Sequence, residues 1–250
     1  MGFAESDLTR DVFLGGRVTI WQPASGYRAA TDPVLLAASV DARAGETVLE
    51  LGCGVGVASL CLAARVPGVV LSGVERQADY AALARRNAGT AMQVFTADLT
   101  ALPSTLRQQS FDHVIANPPY YRPGGGTPAR DTGRENALRE ETPLARWTET
   151  AARRLKPKGW LTMIHAADRV PDLLAALAPD FGAIALRPLA PREGRAAPRV
   201  LIRARKGARA PFCLLPPLVL HDGPRHVADG DDFTAFACAV LRDGAAIPWS

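Results

Sequence analysis

Uninterrupted apolar stretches are missing from this 250-residue chain: Arg, Asp, Pro or Gly breaks every run short of the ~18 residues that a membrane span requires. The first residues carry Glu5, Asp7, Arg10 and Asp11 rather than a basic segment followed by an apolar one, so no secretory signal pattern is present. Cysteine is scarce. Cys53, Cys61, Cys213 and Cys238 lack metal-ligand spacing and lie in apolar or glycine-rich surroundings, which makes a reduced, cytoplasmic protein the expectation. The four histidines show no ligand pairing either, and no metal is expected. Lysine is nearly absent, with 26 of the 29 basic residues being arginine, a skew that genome composition can produce and that carries no functional weight. Repeats and low-complexity linkers are also lacking.

What is present is ample core-forming material, 48% hydrophobic against 22% charged, and an uneven charge. The net charge is +4. Between Arg187 and Arg209 there are eight basic residues and one acid, Glu193, so that segment is +7 and the remainder −3. A cluster of this kind attracts phosphates irrespective of sequence.

From Thr47 onward, strand-like and helix-like segments alternate. The pattern predicts strands at Thr47–Leu51, Val69–Glu75, Met92–Phe95, Phe111–Ala116 and Trp160–His165. Helices are expected at Val55–Arg65, Gln77–Ala88, from Pro143 behind a Thr142 cap, and at Pro171–Ala178. Such alternation implies a mostly parallel sheet with helices on both faces. The last two strands, Ala183–Pro188 and Arg199–Ala204, are separated by too few residues for a helical crossover, so the seventh strand is expected to run antiparallel. Residues 12–32 read as a strand pair and turn, followed by a helix over Val34–Val40 that Asp32 caps and Pro33 opens. Leu214–Leu220 could add a strand, and Phe233, Phe236, Ala237, Val240 and Leu241 mark a terminal helix starting near Asp232. The expected organisation is one domain over 1–250, with an extension at 12–45 that closes over the site, a core at 46–206 and a C-terminal extension at 207–250.

Two motifs carry chemistry. Glu50-Leu51-Gly52-Cys53-Gly54-Val55-Gly56 joins the first core strand to its helix. Glycines allow a tight turn and close approach, and the helix N-terminus offers free N–H groups in the crevice where open α/β sheets bind ligands. A dinucleotide fingerprint would place glycine where Val57 stands. E/D-x-G-x-G-x-G instead resembles the loop that binds S-adenosylmethionine, with Glu50 facing the aminoacyl end. Glu75, at the end of the second strand, is placed for both ribose hydroxyls, and Asp98 after the third resembles the acid that accepts from the adenine amine. A merely structural glycine turn would not need acids at three successive strand ends.

Asn117-Pro118-Pro119-Tyr120 follows the fourth strand and resembles the N/D-P-P-Y/F/W motif of methyltransferases acting on planar amine nitrogens. Such a nitrogen is a poor nucleophile because its lone pair is delocalised. The Asn117 oxygen and the Pro118 carbonyl can accept its two N–H groups together, the prolines hold the corner rigid, and Tyr120 offers a stacking face. No general base is required. Gly26–Asp32 is expected to close over the methionine part of the cofactor, with Thr31 and the helix N-terminus receiving its carboxylate. Arg122, in the long Tyr121–Glu141 loop, and Arg192, Arg195 and Arg199 in the basic hairpin are the candidate RNA contacts.

From about Leu14 to Arg242, the segments GYRAATDPVLLAA, ELGCGVG, VERQADYAALARRN, NPPYYRPG, Pro198–Leu201, Leu218–Gly223 and the Phe233 helix together resemble the bacterial tRNA1(Val) adenine-N6 methyltransferase family. That resemblance implies an α/β, Rossmann-like class I methyltransferase fold, S-adenosyl-L-methionine as cofactor, tRNA as partner, and methylation of an anticodon-loop adenine; a monomer is the expectation, though nothing in the sequence bears on oligomeric state. Glu50 stands where many relatives have Asp, keeping the role with a longer reach. Release-factor-type glutamine methyltransferases share the NPPY geometry but carry a helical recognition domain, and here 46 residues precede the first core strand. Guanine-N2 enzymes usually carry a second copy of the core, and DNA adenine methylases a target-recognition domain. A non-catalytic RNA-binding protein would not need Asn117 and the cofactor loop intact.

Overall fold

The computed structural model describes residues 3–120, 142–225 and 232–250. Arg122 and the Tyr121–Glu141 loop lie outside the described residues. Among the described residues, no helix is long and apolar enough to cross a membrane.

An antiparallel hairpin, β1 (Leu8–Phe13) and β2 (Val18–Pro23), precedes α1 (Thr31–Ala38). The core then runs β3 (Thr47–Leu51), α2 (Val57–Arg65), β4 (Val70–Glu75), α3 (Ala78–Ala88), β5 (Met92–Thr96), α4 (Ser104–Arg107) and β6 (Phe111–Ala116). It continues with α5 (Leu144–Arg154), β7 (Leu155–Ala166), α6 (Val170–Leu177), β8 (Phe181–Ala190) and β9 (Arg199–Lys206). Two short strands, β10 (Cys213–Leu214) and β11 (Leu218–Val219), and helix α7 (Ala235–Asp243) follow.

The seven expected strands form one sheet in the order β8-β9-β7-β6-β3-β4-β5, with β9 antiparallel to both neighbours and the others parallel. β10 and β11 both extend the sheet beside β8, so the Leu214–Leu220 segment contributes two short pieces rather than one strand. Alternation along β3 divides the interior into two cores. Val48 joins residues of α1, α2 and α3 on one face, while Leu49 and Leu51 join α5 and α6 on the other.

Three start signals differ from the sequence reading. Pro143, not Thr142, occupies the N-cap of α5, and no side chain caps it. Asp32 lies inside the first turn of α1, not at its N-cap, and its carboxylate is held by Tyr120 and Arg199 from elsewhere in the chain. The terminal helix starts at Ala235 with the Thr234 hydroxyl accepting from the Ala237 N–H, while Phe233 pairs with His221 ahead of it.

Because β3, β4, β5 and β6 are parallel, their carboxyl ends share one edge of the sheet. β3 lies between β4 on one side and β6 on the other, so consecutive strands depart in opposite directions from it. That topology opens a crevice at the ends of β3 and β6.

Candidate active site

The crevice is one cleft lined by Glu50, Gly52, Gly54, Glu75, Asp98, Asn117, Pro118, Pro119 and Tyr120, gathered from four strand ends. Gly52, Gly54 and Gly56 all have positive φ, at 68°, 54° and 92°. A Cβ on Gly52 would come 2.7 Å from the Trp147 ring, whereas one on Gly54 would stand in open space. The turn therefore has glycine for packing at one end and for access to the cleft in the middle. Gly56 sits at the N-cap of α2 and packs near Met92; it is not among the residues lining the cleft.

Glu50 is 3% exposed, and its Oε2 accepts from the Ser59 N–H at 3.0 Å and the Ser59 hydroxyl at 2.5 Å. Burial outweighs these bonds and pushes its carboxyl up to about 7. Ser59 is a partner that sequence spacing alone did not mark. Glu75 spans the turn: Oε2 accepts from Gly54 N–H at 2.9 Å and Oε1 from Gln77 N–H at 2.8 Å. Its burial also raises its carboxyl. Asp98, by contrast, is held below the ordinary range by the Thr100 hydroxyl and N–H. Cys53 is buried, burial pushes its thiol up, and it packs where a Gly73 side chain would have to go.

Asn117 and Pro118 follow directly on β6. The Tyr120 hydroxyl has two acceptors in reach, Asn117 Oδ1 at 2.6 Å and Asp32 Oδ2 at 2.7 Å. Arg199 Nε donates to the same Asp32 oxygen at 3.3 Å, and its guanidinium lies 4.2 Å from the centre of the Tyr120 ring. The His165 ring meets Tyr120 edge-on at 5.3 Å, and burial lowers its pKa to about 4.

Several expected sites are placed otherwise. Thr31 is exposed and outside the cleft lining; its neighbours Tyr27, Arg28, Ala29, Ala30 and Asp32 line the cleft instead. Several arginines of the basic hairpin are engaged by the rest of the fold, while Arg195 and Arg209 are exposed. Arg192 pairs with Asp232 and donates to the carbonyl of Asp222, and Arg187 is buried against the Pro216 and Pro248 carbonyls. Arg203 stacks on Trp160 and Trp249. Arg199 faces Tyr120, and Arg195 is exposed. Of the three hairpin arginines expected at RNA, Arg192 is thus committed to the fold. The signal that could have revealed this is the C-terminal extension, whose carbonyls and Asp232 need donors.

An open α/β sheet with β9 inserted antiparallel, a glycine turn beneath acids at successive strand ends, and an Asn-Pro-Pro corner beside it define a class I S-adenosylmethionine-dependent methyltransferase. The comparisons with known proteins narrow this. The methyltransferase small domain model matches residues 30–185, more than half the chain. A tRNA1(Val) (adenine(37)-N6)-methyltransferase of Porphyromonas gingivalis is 32% identical over 175 residues, spanning 65% of this chain and 68% of that protein. One of the same name from Dickeya chrysanthemi is 28% identical over 199 residues, 73% of this chain and 74% of the relative. Among solved structures, a protein of Agrobacterium tumefaciens described as a predicted O-methyltransferase superposes with a TM-score of 0.71 at 28% identity, covering 86% of this chain and 98% of that one. The chain belongs to the methyltransferase small domain family and, within it, to the tRNA1(Val) adenine-N6 methyltransferase family. Its cofactor is S-adenosyl-L-methionine.

The cleft suits that cofactor chemically. Carboxylates at the ends of β3 and β4 can accept from an amino group and a pair of hydroxyls, and the open space over Gly54 lets a ligand approach the backbone.

Proposed function

We propose that this enzyme transfers a methyl group to the exocyclic N6 amine of an adenine in a tRNA anticodon loop. The observation that carries the reading is the position of Asn117 and Pro118, which line the same cleft as the Glu50–Gly56 turn. The names of the relatives from Porphyromonas gingivalis and Dickeya chrysanthemi supply the nucleotide class. S-adenosylmethionine, when bound, supplies an electrophilic methyl on a sulfonium.

The chain's own residues do the rest by positioning. Glu50 faces the cationic aminoacyl end, Glu75 accepts from the ribose hydroxyls and Asp98 from the adenine amine of the cofactor. On the substrate side, Asn117 Oδ1 and the Pro118 carbonyl accept the two N–H bonds of the target amine. Two acceptors on one NH₂ would hold the nitrogen in line with the methyl and favour pyramidalisation as the N–C bond forms and the methyl–sulfur bond breaks, leaving the neutral thioether. Positive charge that develops on the nitrogen is stabilised by the same two oxygens, and its proton leaves to water. Tyr120 supports the extruded base. Arg195, exposed at the hairpin turn, contributes phosphate attraction.

Nucleoside mass spectrometry of total tRNA from cells with and without the gene tests this reading. Loss of one N6-methyladenosine is the expected result. Loss of an N2-methylguanosine, or unchanged tRNA with loss of a methylated glutamine in protein, would replace the adenine assignment with another planar amine.

A further inference from the structure

The Tyr120 hydroxyl has one hydrogen and two acceptor positions, Asp32 Oδ2 at 2.7 Å and the end of the Asn117 amide at 2.6 Å. A carboxylate can only accept, and a charge-assisted hydrogen bond is about twice as strong as a neutral one, so the hydrogen goes to Asp32. Burial and the Asp32 charge hold the phenol far above its ordinary range, so that hydrogen is not lost. With it spent on Asp32, a carbonyl oxygen 2.6 Å from the phenol oxygen would set lone pair against lone pair. The two ends of a planar amide are alike in size, and a half-turn about its axis puts an N–H donor in that place.

We propose that Asp32 and Tyr120 set the orientation of the catalytic amide: Asn117 Nδ2–H donates to Tyr120 Oη, the Tyr120 hydroxyl donates to Asp32, and Arg199 closes the chain on Asp32. Each of these three bonds then joins a donor to an acceptor. Asn117 Oδ1 is then the amide end turned away from Tyr120, on a residue that lines the cleft, and it is left for the substrate. Arg199, over the Tyr120 ring and bonded to Asp32, clamps the phenol from a second direction. Asp32 and Arg199 are positioning residues that act through Tyr120.

The consequence is specificity. With Oδ1 outward beside the Pro118 carbonyl, the site presents two acceptors, which suits an NH₂ group and rejects a keto oxygen in the same place. The reversed amide would present NH₂ there, repelling an amine. The inference rests on Asn117 as the amine acceptor.

The chain has three asparagines, Asn87, Asn117 and Asn136, so ¹⁵N-asparagine labelling of the full protein gives three side-chain amide signals, and Asn117→Ala assigns one. In the wild type, one Asn117 Nδ2 proton is expected to exchange slowly with solvent; Tyr120→Phe and Asp32→Ala should both release it. An Asn117 amide unaffected by Tyr120→Phe would overturn the proposal. The kinetic arm uses single-turnover methyl transfer to tRNA from cells lacking the gene. Tyr120→Phe keeps the ring and is expected to slow the step about tenfold. Asp32→Ala should add less than about twofold in the Tyr120→Phe background, because both changes break one chain. Independent, multiplying losses would overturn it. If Asn117→Ala left the rate intact, the amine-acceptor reading would fail, while the labelled amide would still report the network separately.

Discussion

Glu50 should make cofactor affinity depend on pH in a defined direction. Its carboxyl is 3% exposed and pushed up to about 7, chiefly by burial. A cationic ligand end requires the ionised form. An acid with a raised pKa keeps its proton until the pH passes that value, so affinity should rise as pH rises through 7. About one-tenth of the protein is ionised at Glu50 at pH 6 and about nine-tenths at pH 8, and apparent affinity scales with the competent fraction. S-adenosylmethionine should therefore bind roughly tenfold more tightly at pH 8 than at pH 6. Isothermal calorimetry in buffers of different ionisation enthalpy measures both the affinity and the proton released. Glu50→Gln removes the titrating group, so its profile retains only the contributions of the cofactor and of other residues. The same proton affects stability. Between the ordinary carboxylate pKa and about 7, the folded, cofactor-free protein binds more protons than the unfolded chain, so its stability should fall as pH rises across that window. Equal pH slopes for wild type and Glu50→Gln would refute the reasoning.

Other perturbations separate binding, packing and RNA contact. Glu75→Ala should weaken cofactor affinity about a hundredfold by calorimetry, since bonds to a charged acceptor contribute about 1.5–3 kcal/mol; unchanged affinity would remove the ribose assignment. Gly52→Ala places a Cβ 2.7 Å from Trp147 at a φ of 68°, and should lower Tm together with cofactor binding. Arg192→Ala should cost about 2 kcal/mol of stability in denaturant unfolding, because it breaks the Asp232 pair, yet leave the salt dependence of RNA binding unchanged. Arg195→Ala should do the reverse, reducing the log–log salt slope by about one without moving Tm.

The core strands were legible because β3, β4 and β6 are short apolar runs bounded by turn residues, and the Glu50–Gly56 turn and Asn117–Tyr120 corner are local motifs whose spacing carries their geometry. What stayed hidden depends on distant parts of the chain. Asp32 followed by Pro33 reads locally as a helix cap, but Tyr120 and Arg199, 88 and 167 residues away, take its carboxylate. The arginines of β8 and β9 read as a charged surface, but carbonyls of the C-terminal extension and the Trp160 and Trp249 rings absorb Arg187 and Arg203. Trp147 fitted the helical spacing of α5 and gave no sign that its ring lies against Gly52.

The central claim is that two oxygens at the end of β6 grip a planar amine. Single-turnover transfer from methyl-labelled S-adenosylmethionine to an anticodon stem-loop RNA, compared between wild type and Asn117→Ala with both ligands saturating, tests it most directly. The wild type should yield N6-methyladenosine, and the variant should bind both ligands yet transfer about a hundredfold more slowly. Equal transfer rates would contradict it.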